Sequence, residues 1–290
     1  MNIVVNLNKD KGITSQDAVT MVRRIFKVKK AGHTGTLDPL ATGVMLVCLN
    51  EATKISSLIE SFEKEYLATA KLGESTDTLD AEGKIIRKAC AFTISTNDVE
   101  QILSRFTGEI EQIPPMYSAL KVSGKPLYKL ARQGIEVDRK PRKVTVRVLE
   151  ILGFASPFFT LRIVCSKGTY VRSLCNDIGD ALGVGAHMTD LIRTRVGNFR
   201  IEDSAKVQEL PQKPSALHSI DTVLDRLPEL SVTGEDLKKA RNGNPLPLFL
   251  LPDFHHASGA MMRLKDNGGK IFGIGKVMKD SIKIERLLFL

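Results

Sequence analysis

Apolar and polar residues alternate from Lys64 to Leu72, placing Tyr66, Ala68, Ala70 and Leu72 on one face, so this segment is predicted to be a half-buried strand. Val44 to Leu49 is a continuous apolar run and reads as a strand buried on both faces. Lys143 to Leu152 and Phe158 to Cys165 are strand-like on either side of Gly153 to Pro157. Helical spacing appears in three places. Ala18, Val22, Ile25 and Phe26 follow Thr14-Ser15-Gln16-Asp17, which has the form of a capping box, and this helix ends in the basic run Arg23 to Lys30. Val99, Ile102, Leu103 and Phe106 mark a second helix. Val171, Leu174, Ile178 and Leu182 mark a third, beginning near Tyr170.

Strand pairs and isolated helices in mixed order predict an α+β fold rather than a doubly wound sheet. Pro211, Pro214 and Pro228 lie among polar residues and suggest a break. Beyond it, Ala260 to Lys265, Lys270 to Val277 and Ile282 to Leu288 are short strands around the turn Asn267-Gly268-Gly269. The expected division is therefore a large domain over 1–228 and a small, mostly β domain over 229–290.

Composition narrows the function classes. The chain has 290 residues, 42% hydrophobic and 26% charged, a balance usual for a soluble globular protein. No apolar run reaches the roughly 18–20 residues that cross a bilayer, and the first residues lack the basic start of a secretory signal. A cytoplasmic protein without membrane association is expected. Cys48, Cys90, Cys165 and Cys175 are far apart and read as four buried thiols in a reducing compartment. Neither they nor His33, His187, His218 and the adjacent His255-His256 have zinc-site spacing, so no metal is expected.

The net charge of +9 is concentrated. Between Lys121 and Arg147 stand nine basic residues, including Lys121, Lys125, Lys129, Arg132, Arg142 and Lys143, against only Glu136 and Asp138. Interleaved Gly124, Pro126, Tyr128, Gly134 and Pro141 make the segment an excursion from the core. A basic arm suits a polyanion, because each phosphate it neutralises releases counterions.

The stretch Gly32-His33-Thr34-Gly35-Thr36-Leu37-Asp38-Pro39-Leu40-Ala41-Thr42-Gly43 has the glycines of a phosphate loop. It lacks a following Gly-Lys-Ser/Thr, and an apolar strand follows where a nucleotide-binding helix would start. What it does provide is one aspartate between glycines and a proline. On physical grounds such a residue reads first as a turn or cap.

The same twelve residues resemble the signature of the bacterial tRNA pseudouridine-55 synthases, the TruB family. Four further segments resemble the family's motifs in order: Lys64-Glu65-Tyr66 with Gly73 to Gly83, Pro114 to Lys121, Lys167 to Arg172, and Gly185 to Thr194. The resemblance covers roughly residues 5 to 205, and the C-terminal module resembles a PUA-type RNA-binding domain only weakly. In place of the family's Lys-Pro-x-Gly this chain has Lys9-Asp10-Lys11-Gly12, which loosens that turn.

The resemblance implies a pseudouridine synthase fold with a mixed, mainly antiparallel central sheet flanked by helices. It also implies an isomerase that needs no cofactor and acts on one uridine in the T-stem-loop of tRNA. Asp38 matches the aspartate that breaks the bond between ribose C1′ and uracil N1, before C5 is joined to C1′. Arg172 matches its partner arginine, expected to keep Asp38 ionised. Tyr66 matches the active-site tyrosine that stacks on the base, and Tyr170 and Leu191 match residues lining the uracil pocket. His33 matches a histidine that fills the space left when the target base is flipped out. Asp80 takes a supporting part. The basic insertion, about 120–147, falls where relatives close over the RNA, and is expected to be mobile without RNA and ordered with it. A monomer with no obligate protein partner follows. Two competing readings share the motifs: a dyskerin-like synthase directed by a guide RNA, and a non-catalytic RNA-binding or tRNA-folding module.

Overall fold

The structure, a computed structural model, describes residues 1–122, 124–248 and 257–290. His255 and His256 lie outside the described residues. In chain order the elements of the large unit begin with β1 (Ile3–Lys9), α1 (Ser15–Ile25), β2 (Ala31–His33), β3 (Thr42–Leu49), α2 (Ser56–Glu60) and β4 (Lys64–Leu72). They continue with β5 (Glu74–Thr76), β6 (Ile85–Lys88), α3 (Thr96–Leu103), β7 (Gly108–Gln112), β8 (Lys121–Val122), β9 (Lys125–Pro126) and α4 (Leu127–Ala131). Next are β10 (Arg142–Ala155), β11 (Phe158–Cys165), α5 (Val171–Ala181), β12 (Ala186–Val196), β13 (Phe199–Arg200), β14 (Leu217–Ser219) and α6 (Ile220–Val223). The C-terminal part adds β15 (Glu229–Ser231), α7 (Gly234–Arg241), β16 (Leu246–Pro247), β17 (Met261–Lys265), β18 (Ile271–Val277) and β19 (Ser281–Leu287).

A ten-stranded sheet in the order β14-β1-β3-β12-β4-β11-β10-β7, with β2 and β13 attached at its side, forms the framework. Its pairings are antiparallel except β12 with β3, which is parallel. The fold is therefore the mixed, mainly antiparallel α+β architecture that the sequence predicts. The capping box is also formed: Thr14 accepts from the Asp17 N–H at 3.1 Å, and Asp17 accepts from the Thr14 N–H. Such a cap contributes about 1 kcal/mol to helix α1.

Period-two alternation splits the core between the two faces of the sheet. Val5, Leu7, Met45, Val47, Tyr66, Ala68 and Leu191 point to one side, where α1, α3 and α5 cover them. Val4, Val44, Leu46 and Cys48 point to the other, where Ile271, Ile274 and Leu288 from the C-terminal part pack against them. That part is a five-stranded sheet, β15-β17-β18-β19-β16, with its own core around Met262, Leu264 and Ile282.

Three expectations need correction. Cys90 is exposed, whereas Cys48, Cys165 and Cys175 are buried. Strand β10 runs on to Ala155, through glycine 153, so the reversal before Phe158 is tighter than the sequence suggests. Arg142, Lys143 and Arg147 belong to β10 rather than to an excursion. Lys143 is paired with Glu109 at 2.8 Å and Arg147 with Glu63 at 3.0 Å. The rest of the insertion has its own structure: hairpin β8–β9 leads into α4, and Leu127 is fully buried. Among the described residues no helix is long and apolar enough to cross a membrane.

Candidate active site

The loop carrying Asp38 joins β2 to β3 and is anchored at several points. The Ser15 hydroxyl donates to the Leu37 carbonyl and accepts from the Leu37 N–H, both at 2.8 Å. The Asp38 carbonyl accepts from the Ala41 N–H at 3.1 Å, closing a turn over Pro39 and Leu40. The Lys9-Asp10-Lys11-Gly12 turn docks on this loop through Gly12 N–H to the Pro39 carbonyl at 2.8 Å. Ion pairs Lys11–Asp190 at 3.0 Å and Lys206–Asp10 at 3.2 Å hold that turn without the family's proline. Gly43, at φ +99°, sits where β3 meets β12. A Cβ there would run into the Arg193 backbone, so this position requires glycine.

Arg172, in the first turn of α5, organises the site. Its Nε lies 2.9 Å from Asp38 Oδ2 and its Nη2 3.3 Å from Oδ1, a two-pronged grip on the carboxylate. The same guanidinium reaches Asp80 Oδ2 at 3.3 Å and donates to the carbonyls of Thr78 and Tyr117, both at 2.9 Å. Its side chain is 6% exposed and that of Asp80 5%, whereas Asp38 keeps 33% of its side chain open to solvent. The buried pair fixes the geometry, and Asp38 presents the accessible carboxylate.

Two influences compete at Asp38. Burial pushes its carboxyl above the ordinary range, the Arg172 guanidinium pulls it down, and the Asp80 carboxylate pushes it up again. The sequence suggested protection from protonation alone. The structure gives a raised carboxyl instead, because burial, aided by the Asp80 carboxylate, outweighs the pull of Arg172.

Tyr66 stands on β4 with its side chain buried, and burial raises its phenol while Arg193 opposes the rise. Leu191 pairs with Ala68 across β4 and β12, so it shares the Tyr66 face. Tyr170 immediately precedes α5 and is half-buried. His33 ends β2 half-buried; its Nδ1 accepts from the Gly35 N–H at 3.4 Å, and burial and Arg193 hold its imidazole towards the neutral form. Asp80 accepts from the Thr78 hydroxyl at 2.6 Å and the Glu82 N–H at 3.1 Å. Lys121, Lys125, Lys129, Arg132 and Arg142 are exposed and form no ion pair among the described residues.

Sequence reasoning passed over three buried polar residues. Gln112 holds the Tyr170 backbone at both N–H and carbonyl, at 2.7 and 2.9 Å. Lys9 is fully buried, donates to the carbonyls of Asp10 and Ile13 at 2.9 Å, and has its pKa lowered to about 8 by burial. Arg193 is the third. Lys9 ends β1 between Asn8 and Asp10, and Gln112 follows Glu109 and Glu111, so neither had a local signal. A cavity of about 350 Å³ bordered by Phe62, Phe199, Val223 and His218 lies among side chains of the opposite core and contains none of the site residues.

Residues 23–171 match the family described as TruB family pseudouridylate synthase (N terminal domain), and residues 172–227 match the tRNA pseudouridylate synthase B C-terminal domain. The tRNA pseudouridine synthase B of Dechloromonas aromatica (strain RCB) is 48% identical over 250 residues, covering 84% of this chain and 83% of that protein. The corresponding protein of Clostridium tetani (strain Massachusetts / E88) is 41% identical over 290 residues, covering 99% and 100%. Among solved structures, a chain of a Cbf5-Nop10-Gar1 complex is 26% identical, with a TM-score of 0.77 over 99% of this chain and 85% of that one. With family matches over residues 23–227, a shared fold and nearly full-length relatives, this chain belongs to the TruB family of pseudouridylate synthases, which are isomerases.

Proposed function

We propose that this enzyme isomerises the T-loop uridine at position 55 of tRNA, with Asp38 as nucleophile after base flipping. The observation that carries the reading is an accessible carboxylate gripped at 2.9 Å by a buried guanidinium, in a loop anchored by Ser15 and Gly12. Two relatives bearing the name tRNA pseudouridine synthase B support tRNA as the substrate.

In this reading the target base leaves its stack, at a cost of a few kcal/mol, and His33 fills the gap. Tyr66 stacks on the uracil, with Leu191 and Tyr170 lining its pocket. Asp38 attacks the bound nucleotide and the N1–C1′ bond breaks. The freed base turns and C5 bonds to C1′, and the bond made by Asp38 breaks to return its carboxylate. The C5 proton leaves to solvent as the ring recovers its double bond, and N1 takes up a proton. The product is an isomer of the substrate, so atoms balance without a cofactor. Arg172 keeps Asp38 aimed and favours its ionised form. Residues 1–228 form the catalytic domain and 229–290 a PUA-like RNA-binding domain. Lys121, Lys125, Lys129, Arg132, Arg142 and Lys143 contact the RNA backbone. The enzyme acts as a cytoplasmic monomer.

The test is tritium release from unmodified tRNA transcript labelled at uracil C5, using the purified chain alone with no metal or nucleotide. Release that maps to the T loop and vanishes in Asp38→Asn is expected. The likeness to a Cbf5 chain in a complex with Nop10 and Gar1 favours a second reading, an enzyme that works only with partners. Tight tRNA binding without release by the chain alone would select it.

A further inference from the structure

Arg193 is 2% exposed, yet no carboxylate lies within ion-pair distance of it among the described residues. Burying a guanidinium without an anionic partner is costly, so it must be held by dipoles or do something that offsets the cost. Its Nε donates to the Val44 carbonyl at 2.6 Å and its Nη2 to the Gly35 carbonyl at 3.0 Å. Val44 belongs to β3 and Gly35 to the catalytic loop, three residues before Asp38. Across the sheet, Arg193 is the cross-strand partner of Tyr66. Its charge is felt by five groups around it: it opposes the burial-driven rise of the Tyr66 phenol and the Cys165 thiol, and it adds to the lowering of Lys9, His33 and Lys64.

We propose that Arg193 is a positioning residue that couples the catalytic loop to Tyr66: one buried guanidinium ties the Gly35 carbonyl to the Val44 carbonyl and rests against the Tyr66 hydroxyl, fixing the Asp38 carboxylate relative to the base-stacking ring. Arg172 sets Asp38 from the α5 side, and Arg193 sets the loop from the β12 side. The backbone approach at Gly43 brings Arg193 close enough to span both carbonyls. A lysine there would keep the charge but lose the planar fork that bridges two acceptors. This inference rests on the proposed function for its catalytic consequence, and on geometry alone for the coupling.

Two measurements on the full-length chain test it. In the first, tyrosines carry 13C at Cζ and the Tyr66 signal is assigned by its loss in Tyr66→Phe. Arg193→Gln is expected to move the Tyr66 titration to higher pH. An unmoved titration would overturn the contact whether or not the enzyme turns over tRNA. In the second, single-turnover tritium release is followed with enzyme in excess. Since misplacement by about 1 Å can cost about 10²-fold, Arg193→Gln is expected to slow release by roughly that factor with tRNA affinity within about threefold. In a Tyr66→Phe background the same change should cost distinctly less, because coupled residues are non-additive. Equal losses in both backgrounds, or weakened tRNA binding with an intact rate, would overturn the proposal. Should Arg193→Gln fail to fold, Arg193→Lys replaces it, with an intermediate loss expected and a full wild-type rate counting against the bridge. Absence of release from the wild-type chain would remove the proposed function and leave the NMR titration to decide the coupling.

Discussion

Arg172 grips Asp38 at 2.9 Å with Nε while its Nη1 stands 3.3 Å from Asp80, so one guanidinium serves an accessible carboxylate and a buried one at once. The sharing makes the two carboxylates act on each other through the cation between them. Burial and Asp80 raise the Asp38 carboxyl, and Arg172 lowers it.

Opposite pH shifts follow from that arrangement. In the proposed mechanism the ionised carboxylate is the active form, so the rate is expected to rise with pH through the Asp38 pKa. Arg172→Gln removes the lowering influence, so the acid limb of the single-turnover profile should move to higher pH. Asp80→Asn removes a raising influence, so the limb should move to lower pH. Each displacement of one pH unit corresponds to about 1.4 kcal/mol at Asp38. Shifts in the same direction would refute the shared-cation account.

Arg172→Gln should also destabilise the fold, because it leaves the buried Asp80 unpaired. Breaking a buried pair from one side costs on the order of 3–5 kcal/mol, and urea unfolding should show the loss. Asp80→Asn keeps acceptors for the Thr78 hydroxyl and the Glu82 N–H and should cost less.

His33→Ala should weaken productive tRNA binding more than it slows chemistry on bound tRNA. Burial and Arg193 hold the half-buried imidazole towards the neutral form, as the proposed filler of the emptied base position requires. Single-turnover titration separates the two effects, and a slowed step at unchanged affinity would point to a chemical role instead.

Lys121, Lys125 and Lys129 offer exposed charge without carboxylate partners among the described residues, whereas Lys143 is engaged by Glu109. Replacing any of the first three by Gln should lower the salt dependence of tRNA binding by about one unit of slope. Lys143→Gln should change it less. Limited proteolysis of residues 120–141 with and without tRNA measures closure of the insertion, and equal resistance would oppose it.

Lys9 gives a stability signature. Its pKa is lowered from 10.5 to about 8 in the fold. Between those values the unfolded chain holds a proton that the native state has released, so stability from this group rises as pH increases from about 8 towards 10.5. Lys9→Met should flatten that rise. Denaturant titrations at several pH values would check it.

Local patterns were legible because they depend on near neighbours. The Thr14–Asp17 box, the alternation of β4 and the helix after Tyr170 each follow from spacing along a few residues. The Asp38 loop was legible as a constrained carboxylate, and the resemblance in its twelve residues supplied the chemistry. Sequence alone also read the strands of the C-terminal part, since the turn Asn267-Gly268-Gly269 and flanking apolar runs mark them.

Only the tertiary structure decided which charges are spent and which are free. Arg142, Lys143 and Arg147 looked like one basic arm with Lys121 to Arg132, but strand pairing delivers Lys143 to Glu109 and Arg147 to Glu63. It also decided that Asp80, forty-two positions from Asp38, shares its arginine, and that Arg193 reaches back to Gly35. Those contacts join segments far apart in the chain, and no periodicity records them. Local sequence selects helix or strand through propensity and burial, whereas the partner of a buried charge is set by how the strands are ordered, here by the parallel pairing of β12 with β3.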